Sequence, residues 1–191
     1  MLFRSLRSFT QNYPQVDLDI HFYDSEDACR EVGLGRLDLG LITLPTQLEG
    51  PLDELEVWRD PLVVVVGPDH PLLEHHAVSI QQLLAHPAIL PSKNTYTRQL
   101  IEEGFARHGR QPQERLATNY LETIKMMVSV GLGWSMLPQK MVEGELQQLK
   151  VKGLHIERRL GVVTHKQRSL SNAAQALLAL LHEAARDGKK R

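Results

Sequence analysis

The sequence predicts an α/β protein built on a mostly parallel sheet, and three observations indicate this class. Strand patterns alternate with helix patterns along the 191 residues, which is typical of parallel strands joined by right-handed helical crossovers. Residues 38–42 and 62–66 are near-continuous apolar runs, as expected of strands that are covered on both faces. In residues 128–138, a helix pattern, a glycine stop, a short apolar strand and a proline turn follow one another directly.

The first part of the chain is predicted to form a helix, a strand and a second helix. Apolar residues recur at helical steps from the very start, at Leu2, Leu6, Phe9 and Tyr13. The chain is therefore expected to open inside a helix. Residues 16–22 alternate apolar with polar side chains, which predicts a strand with one solvated side, at or near a sheet edge. Asp24 or Ser25 can cap the next helix, which stops at Gly33 and Gly35.

The rest of the chain continues the alternation. Ser79 and Gln82 form a capping-box pattern at the start of a helix. A further helix is expected from about residue 95 to residue 108. The next helix should end at Gly131, because glycine enters the left-handed conformation freely. Residues 173–185 carry a broad apolar face, which predicts a last helix that covers a core.

The charge balance and the cysteine count exclude several classes of protein. With 22 Lys and Arg against 23 Asp and Glu, the formal net charge is -1, so the chain lacks the basic surface that binds phosphate backbones. The basic run at residues 189–191 is interpreted as a charged chain end. The single cysteine, Cys29, excludes an internal disulfide. No apolar stretch approaches the ~20 residues of a membrane helix, and the chain start lacks the apolar core of a secretory signal.

No motif for catalysis or cofactor binding is present. There is no Gly-x-Ser-x-Gly elbow and no phosphate-binding loop, and the Gly-x-Gly that ends at Gly133 follows a helix instead of a strand. Cys29 lies on the apolar side of a predicted helix and is interpreted as a packing thiol. His70, His75 and His76 cluster near a turn, but without a nearby cysteine or a helical His pair they do not predict a metal site. We therefore predict no catalytic residue, no cofactor and no metal.

Polar residues follow three of the predicted strands and are candidates for ligand binding. These loops are residues 43–46, 91–98 and 118–123. In open α/β sheets, ligands bind beyond the carboxyl ends of strands, where loops and helix N-termini converge. The second loop opens a helix, whose dipole and first amides suit an anion. Ser92, Asn94 and Thr95 are also typical helix-capping residues, so capping alone explains them equally well, and both roles can hold.

Five segments, in this order, resemble the effector-sensing domain of LysR-type transcriptional regulators. They are residues 13–18 (YPQVDL), 35–42 (GRLDLGLI), 61–72 (PLVVVVGPDHPL), 128–138 (VSVGLGWSMLP) and 159–174, with RLGVV followed by LSNAA. Each motif is weak alone, but the ordered set spans nearly the whole chain. The chain is therefore identified as a member of this family.

The resemblance implies two Rossmann-like lobes joined by two crossover strands, as in type 2 periplasmic binding proteins. The first lobe is expected to comprise residues 1–67 and 160–191, and the second residues 68–159. The chain should pass between the lobes near residues 67–70 and again near residues 158–163. It is expected to be part of a longer regulator, without the N-terminal winged helix-turn-helix domain, the linker helix and the first strand of the sensing domain.

The resemblance also implies a function: a small, anionic metabolite binds between the lobes, and its binding is transmitted to the absent DNA-binding domain. The effector-binding candidates are Thr43, Leu44, Ser92, Lys93, Asn94, Thr95, Thr118 and Tyr120. The expected partners are the effector and a second copy in a homodimer, or a tetramer when full length, with DNA bound only through the missing domain. The protein is expected to be cytoplasmic, non-catalytic and without a membrane contact.

Two alternatives share the two-lobed fold. A transporter's solute-binding protein would need a secretory signal or lipid anchor, and the sequence shows neither. An enzyme on this fold, such as a prephenate dehydratase or a porphobilinogen deaminase, would need its own catalytic motif, and none is found.

Overall fold

A computed structural model describes residues 2–188, with side chains described from Ser5 to Arg186. The chain forms two compact units, one of residues up to Arg59 together with those from Arg159, the other of Asp60–Arg158. The basic run at residues 189–191 and the side chain of Leu2 lie outside the described residues. No described helix is long and apolar enough to cross a membrane.

Helices and strands alternate along most of the chain, as predicted. In chain order the elements are α1 (Leu2–Asn12), α2 (Ser25–Gly33), β1 (Leu39–Thr43), β2 (Leu52–Val66), α3 (Ile80–Leu84), β3 (Ala88–Leu90), α4 (Tyr96–Ala106), β4 (Glu114–Ala117), α5 (Leu121–Ser129), β5 (Ser135–Pro138), β6 (Gln147–Leu149), β7 (Ile156–His165) and α6 (Asn172–Gly188). Short 3-10 helices lie between β2 and α3, at Pro71–Glu74, and between β5 and β6, at Gln139–Met141.

The first unit packs α1 and α6 against strands β2 and β7. Strand β1 pairs antiparallel with β7, from Leu39 opposite Thr164 to Thr43 opposite Leu160, and β2 lies on the other side of β7. The buried core contains residues from both helices and both strands: Phe9, Val57, Val162, Leu177 and Leu181. Helix α2 packs on β1 and buries Ala28, Cys29 and Val32.

The second unit has an apolar cluster on each face of its strands. The second half of β2 pairs antiparallel with β5 and with β6, while β3 pairs parallel with β4. One cluster includes Leu83, Ile101, Phe105 and Trp134. The other includes Ile124, Val128 and Leu137. Trp134 is fully buried and donates its indole N–H to the carbonyl of His86, with N and O 3.0 Å apart.

The expectation of a mostly parallel sheet was wrong, since the named pairs of the larger sheet are antiparallel. Parallel neighbours need a crossover of a dozen or more residues, usually a helix. The antiparallel pairs instead join strands that are not consecutive in the chain, β1 with β7 and β2 with β5 and β6. The α/β alternation therefore held, but it did not report the direction of strands whose partners are distant in the sequence.

The strand predicted at residues 16–22 was also wrong, because this segment pairs with no strand in the described part of the chain. Its backbone is irregular. Val16 and Leu18 pack partly against the first core, whereas Ile20 and Phe22 are 54% and 94% exposed. Alternating side chains report an extended backbone with two different faces, but a strand also needs a neighbour for its amides and carbonyls.

The two units divide within single strands. Their boundaries fall between Arg59 and Asp60, inside β2, and between Arg158 and Arg159, inside β7. The sequence predicts these boundaries after residues 67 and 159, with the first changeover near residues 67–70. An apolar run such as 62–66 indicates where a strand is covered on both faces, so it marks the second half of β2 and not the point where the chain changes unit.

The predicted helix ends are confirmed where capping chemistry specified them. Ser79 and Gln82 form a full capping box at the start of α3. Helix α5 is closed by two hydrogen bonds, from Gly131 N–H to Val128 and from Leu132 N–H to Met127, the paired pattern of a Schellman motif. Gly131 has a φ of +78°, which explains the requirement for glycine at this position.

Gly133 is needed for a different reason, the close approach of two chain segments. A Cβ atom at this position would lie 2.4 Å from the carbonyl oxygen of Pro87. That same carbonyl accepts a hydrogen bond from Trp134 N–H at 3.0 Å, and Ile89 N–H donates to the carbonyl of Trp134 at 2.8 Å. Any side chain at Gly133 would therefore separate β3 from the chain that leads into β5.

Arg159 ties three segments of the first unit together. Its side chain donates to the Glu56 carboxylate at 2.8 Å and also pairs with Glu54. Its carbonyl accepts from Leu44 N–H at 2.7 Å, so the loop after β1 is held against β7. The hydrogen bond from Arg159 is the main cause that lowers the pKa of Glu56 below its ordinary value of 4.5.

We predict that Gly133→Ala destabilises the protein much more than Gly131→Ala. The first change forces a methyl group into Pro87 and should lower the free energy of unfolding by about 3 kcal/mol. The second meets no atom within 4 Å and only places an L-residue at positive φ, which should cost about 1 kcal/mol. Urea denaturation of both variants measures the difference, and equal losses would contradict it.

Arg159→Gln should make the protein less stable mainly at neutral pH. A carboxylate with a lowered folded pKa contributes stability above its unfolded pKa and loses this contribution as the pH falls through its folded pKa. We expect a loss of about 1 kcal/mol at pH 7, after allowance for solvent screening, and less near pH 3. Urea titrations at both pH values measure it. Lys166→Gln, which removes an exposed 3.9 Å pair with Asp53, is the control. An equal loss at both pH values in Arg159→Gln would contradict the assignment.

Candidate functional site

The loop that follows β3 in the second unit is held in shape by its own side chains. Thr95 donates its main-chain N–H to the carbonyl of Ser92 at 3.1 Å and its hydroxyl to the same oxygen at 2.9 Å. The Thr95 hydroxyl also accepts from Arg98 N–H at 3.2 Å and so caps α4. The capping role proposed for Thr95 from sequence is therefore confirmed.

A second loop, after β4, lies directly beside the first. Ser92 N–H donates to the side-chain oxygen of Asn119 at 2.9 Å, and Thr118 N–H donates to the carbonyl of Leu90 at 3.1 Å. The parallel pairing of β3 and β4 is the cause, because parallel strands end at the same edge of a sheet. The structure thus brings the candidates from residues 91–98 and from residues 118–123 together.

The paired loops offer a mixed set of polar groups at the start of α4. Ser92, Thr95 and Thr118 are half-buried, while Lys93 and Asn94 are exposed. In the described part of the chain no carboxylate forms an ion pair with Lys93. Tyr120 is 77% exposed and begins α5 without a side-chain cap. Hydroxyls, an amide, a cation and a helix N-terminus therefore lie in one small region.

Thr43 and Leu44, the candidates in the first unit, follow β1 and are both buried. Thr43 N–H donates to the hydroxyl of Ser25 at 3.1 Å, which links this loop to the first turn of α2. The side chain of Leu44 packs against Gly161 of β7. Leu44 can therefore offer a ligand only its main chain, whereas the Thr43 hydroxyl makes no hydrogen bond among those of the described residues.

Sequence reasoning missed two residues that shape the loop after β3. Asn119 lies in the predicted polar loop 118–123, but its contact with Ser92 bridges 27 positions and has no sequence signal. Arg98 is buried at 3% exposure, and its guanidinium bonds Pro91, Glu102 and Glu114. Only the contact with Glu102 has the four-residue helical spacing that a sequence can reveal.

The histidines predicted to cluster near a turn do not form one group. His70 packs against His86, with ring centroids 4.7 Å apart, and accepts a hydrogen bond from Leu72 N–H. Burial and the neighbouring His86 lower its pKa. His75 and His76 are exposed. Within the described residues, no group of three or more His, Cys, Asp or Glu is placed to hold a metal ion.

Comparison with known proteins identifies one family. The family model for the LysR substrate binding domain matches residues 1–186. The transcriptional regulator CbbR of Rhodospirillum rubrum is 30% identical over 188 residues, which cover 96% of this chain and 62% of CbbR. The regulator YeiE of Escherichia coli K12 is 29% identical over 180 residues, which cover 89% of this chain and 59% of YeiE. The chain thus spans about three-fifths of the length of these relatives.

Solved structures with the same fold are effector-binding domains of LysR regulators, which have the type 2 periplasmic-binding-protein-like fold. The effector binding domain of QuiR in complex with shikimate has a TM-score of 0.87 at 21% identity, covering 100% of this chain and 91% of that one. The regulatory domain of Synechocystis PCC6803 CcmR in complex with 2-PG has a TM-score of 0.85 at 28% identity, covering 96% of this chain and 90% of that one.

These relatives are transcriptional regulators. With a family model that matches almost the whole chain, the chain belongs to the LysR substrate binding domain family.

Proposed function

We propose that the chain is the effector-sensing part of a LysR-type transcriptional regulator and that a small, anionic metabolite binds at the paired loops of the second unit. The observation that carries this proposal is the hydrogen bond from Ser92 to Asn119, which holds two polar loops together at the N-terminus of α4. A helix N-terminus presents amides without intrahelical acceptors and a positive dipole end. The ligands of the QuiR and CcmR domains support a small polar effector.

The proposed contacts divide by chemistry. Ser92, Asn94, Thr95 and Thr118 offer directed hydrogen bonds, Lys93 offers a positive charge, and Tyr120 offers a ring and a hydroxyl. Thr43 and Leu44 are proposed as contacts from the first unit; because Leu44 N–H already donates to Arg159, its carbonyl would accept from a hydroxyl of the effector. An anion held mainly by hydroxyls and amides is recognised by its shape as well as by its charge.

Signalling in this proposal requires only a difference in affinity. An effector that binds one conformation of the domain more tightly than another shifts their equilibrium by that difference. A DNA-binding domain outside this chain would respond to the shift, since coupling between two sites is reciprocal. We propose accordingly that the chain is non-catalytic and cytoplasmic, and that DNA is bound only through that other domain.

Thr95→Ala should weaken effector binding about tenfold, because one directed hydrogen bond to a charged group is lost. Probes are first selected by thermal shift from a panel of small carboxylates and phosphates that includes shikimate and 2-PG. Affinity is then measured by calorimetry. The same change removes the cap of α4 and should lower the free energy of unfolding by about 1 kcal/mol.

Two matched variants separate binding from capping. Ser79→Ala removes the cap of α3 in the same unit, so it should lower stability by a similar amount and leave affinity unchanged. Thr95→Ser should retain both properties. If Thr43→Ala and Thr95→Ala both bind the probe as the wild type does, the proposed site is wrong.

We propose further that the chain forms a homodimer, and a tetramer when joined to its DNA-binding domain. The exposed apolar residues Ile20 and Phe22 support association, because solvent does not favour such surface. Sedimentation equilibrium at micromolar concentration should give a dimer, and Phe22→Ser should shift it toward monomer. Lys152→Ser, at an exposed position in the other unit, should leave the dimer unchanged. A monomeric wild-type chain would contradict this proposal.

A further inference from the structure

Arg98 is a buried cation beside the proposed effector loop. Its side chain is 4% exposed, although it lies in the first turn of α4, one turn from the half-buried Thr95. Arginine is almost never fully buried unless it is paired. A cation in this position therefore has a specific set of partners.

The guanidinium of Arg98 bonds three separate segments. One terminal nitrogen donates to the carbonyl of Pro91 at 2.9 Å and to the carboxylate of Glu114 at 2.5 Å. The inner nitrogen, Nε, donates to Glu102 at 2.7 Å. Pro91 begins the effector loop, Glu102 lies one turn further along α4, and Glu114 is the first residue of β4. One side chain thus connects the loop to the helix and to the neighbouring strand.

Arg98 holds the effector loop at both of its ends. Its guanidinium binds Pro91 at the beginning, and its own main-chain N–H binds the Thr95 hydroxyl at the end, at 3.2 Å. Between these two points the loop is closed by the bonds from Thr95 to Ser92. Any residue at position 98 would supply this main-chain N–H, so the part specific to arginine is the bond to Pro91, which ties the start of the loop to α4.

The charge of Arg98 is already neutralised, which distinguishes it from a ligand-binding cation. Glu102 and Glu114 together carry one more negative charge than the arginine compensates, and the guanidinium is buried. Its donors point in fixed directions within one plane. A lysine would keep the charge but has a single nitrogen, and could not reach all three acceptors in the same geometry.

We infer that Arg98 is a positioning residue for effector binding: it holds the Pro91–Thr95 loop in the conformation that binds the anion, without touching the anion itself. The effect of Arg98 on effector affinity rests on the proposed function. Its effect on the order of the loop does not. The loop should therefore be ordered by Arg98 in the ligand-free chain as well.

The test is Arg98→Lys, compared with Arg115→Lys and Ile124→Val in the whole chain. Arg115 lies on β4, is exposed, and also donates to a main-chain carbonyl, that of Leu132 at 3.2 Å, so it controls for the change of residue type. Ile124 is fully buried in the second core cluster of this unit, so its truncation controls for lost stability without a change at the loop.

The first measurement is amide hydrogen exchange of Ser92 and Thr95 by NMR without ligand. Arg98→Lys should accelerate exchange at these two amides about tenfold relative to wild type, because local opening becomes easier. Arg115→Lys and Ile124→Val should not selectively accelerate exchange at these two amides. The second measurement is affinity for the probe selected above, which should fall about tenfold in Arg98→Lys and stay unchanged in both controls.

The outcomes are distinguishable. Unchanged exchange at Ser92 and Thr95 in Arg98→Lys, or an equal acceleration in Ile124→Val, would overturn the positioning role. Unchanged affinity in Arg98→Lys would overturn it as well. If the wild type binds no member of the probe panel, the proposed function fails, and the exchange data alone decide whether Arg98 orders the loop.

Discussion

Strand β2, Leu52–Val66, is the element on which the rest of the structure depends, because each of the two units uses part of it. In the first unit its Val57 lies in the core with α1 and α6. In the second unit Val64 and Val65 face the two opposite clusters, and β5 and β6 pair with this half of the strand. The continuous apolar run at residues 62–66 is the consequence, since both faces of the strand are covered there.

Within the second unit, a local rule of sheets produces the candidate site. Parallel strands end at the same edge, so pairing β3 with β4 brings the Pro91–Thr95 loop beside Thr118 and Asn119. Side chains then hold these two loops in place. Asn119 holds the loop after β4 to the loop after β3. Arg98 holds the Pro91–Thr95 loop to α4. The site thus depends on contacts between residues far apart in sequence.

The accuracy of the sequence predictions follows from the range over which each feature acts. The capping box at Ser79 and the glycine stop at Gly131 act within a few residues, and the structure confirms both. Three other features depend on distant segments: the direction of β2 and β7, the partners of Arg98, and the lack of a strand partner for residues 16–22 within the described part of the chain. The contact between Arg98 and Glu114 spans 16 positions and that between Ser92 and Asn119 spans 27. No local pattern could have supplied them.

The two roles of Thr95 set a limit on what a single residue can contribute to binding. A hydroxyl has one hydrogen to donate and two lone pairs to accept with. In the structure the hydrogen is donated to the Ser92 carbonyl, and one lone pair accepts from Arg98 N–H. To donate to an anion, the hydroxyl must give up its bond to Ser92, so binding exchanges one hydrogen bond for another. The net gain is then only the excess of a charge-assisted bond over a neutral one, about 1 kcal/mol. An affinity useful for sensing must therefore come from several groups at once, so binding at the proposed site would require that the whole loop be ordered.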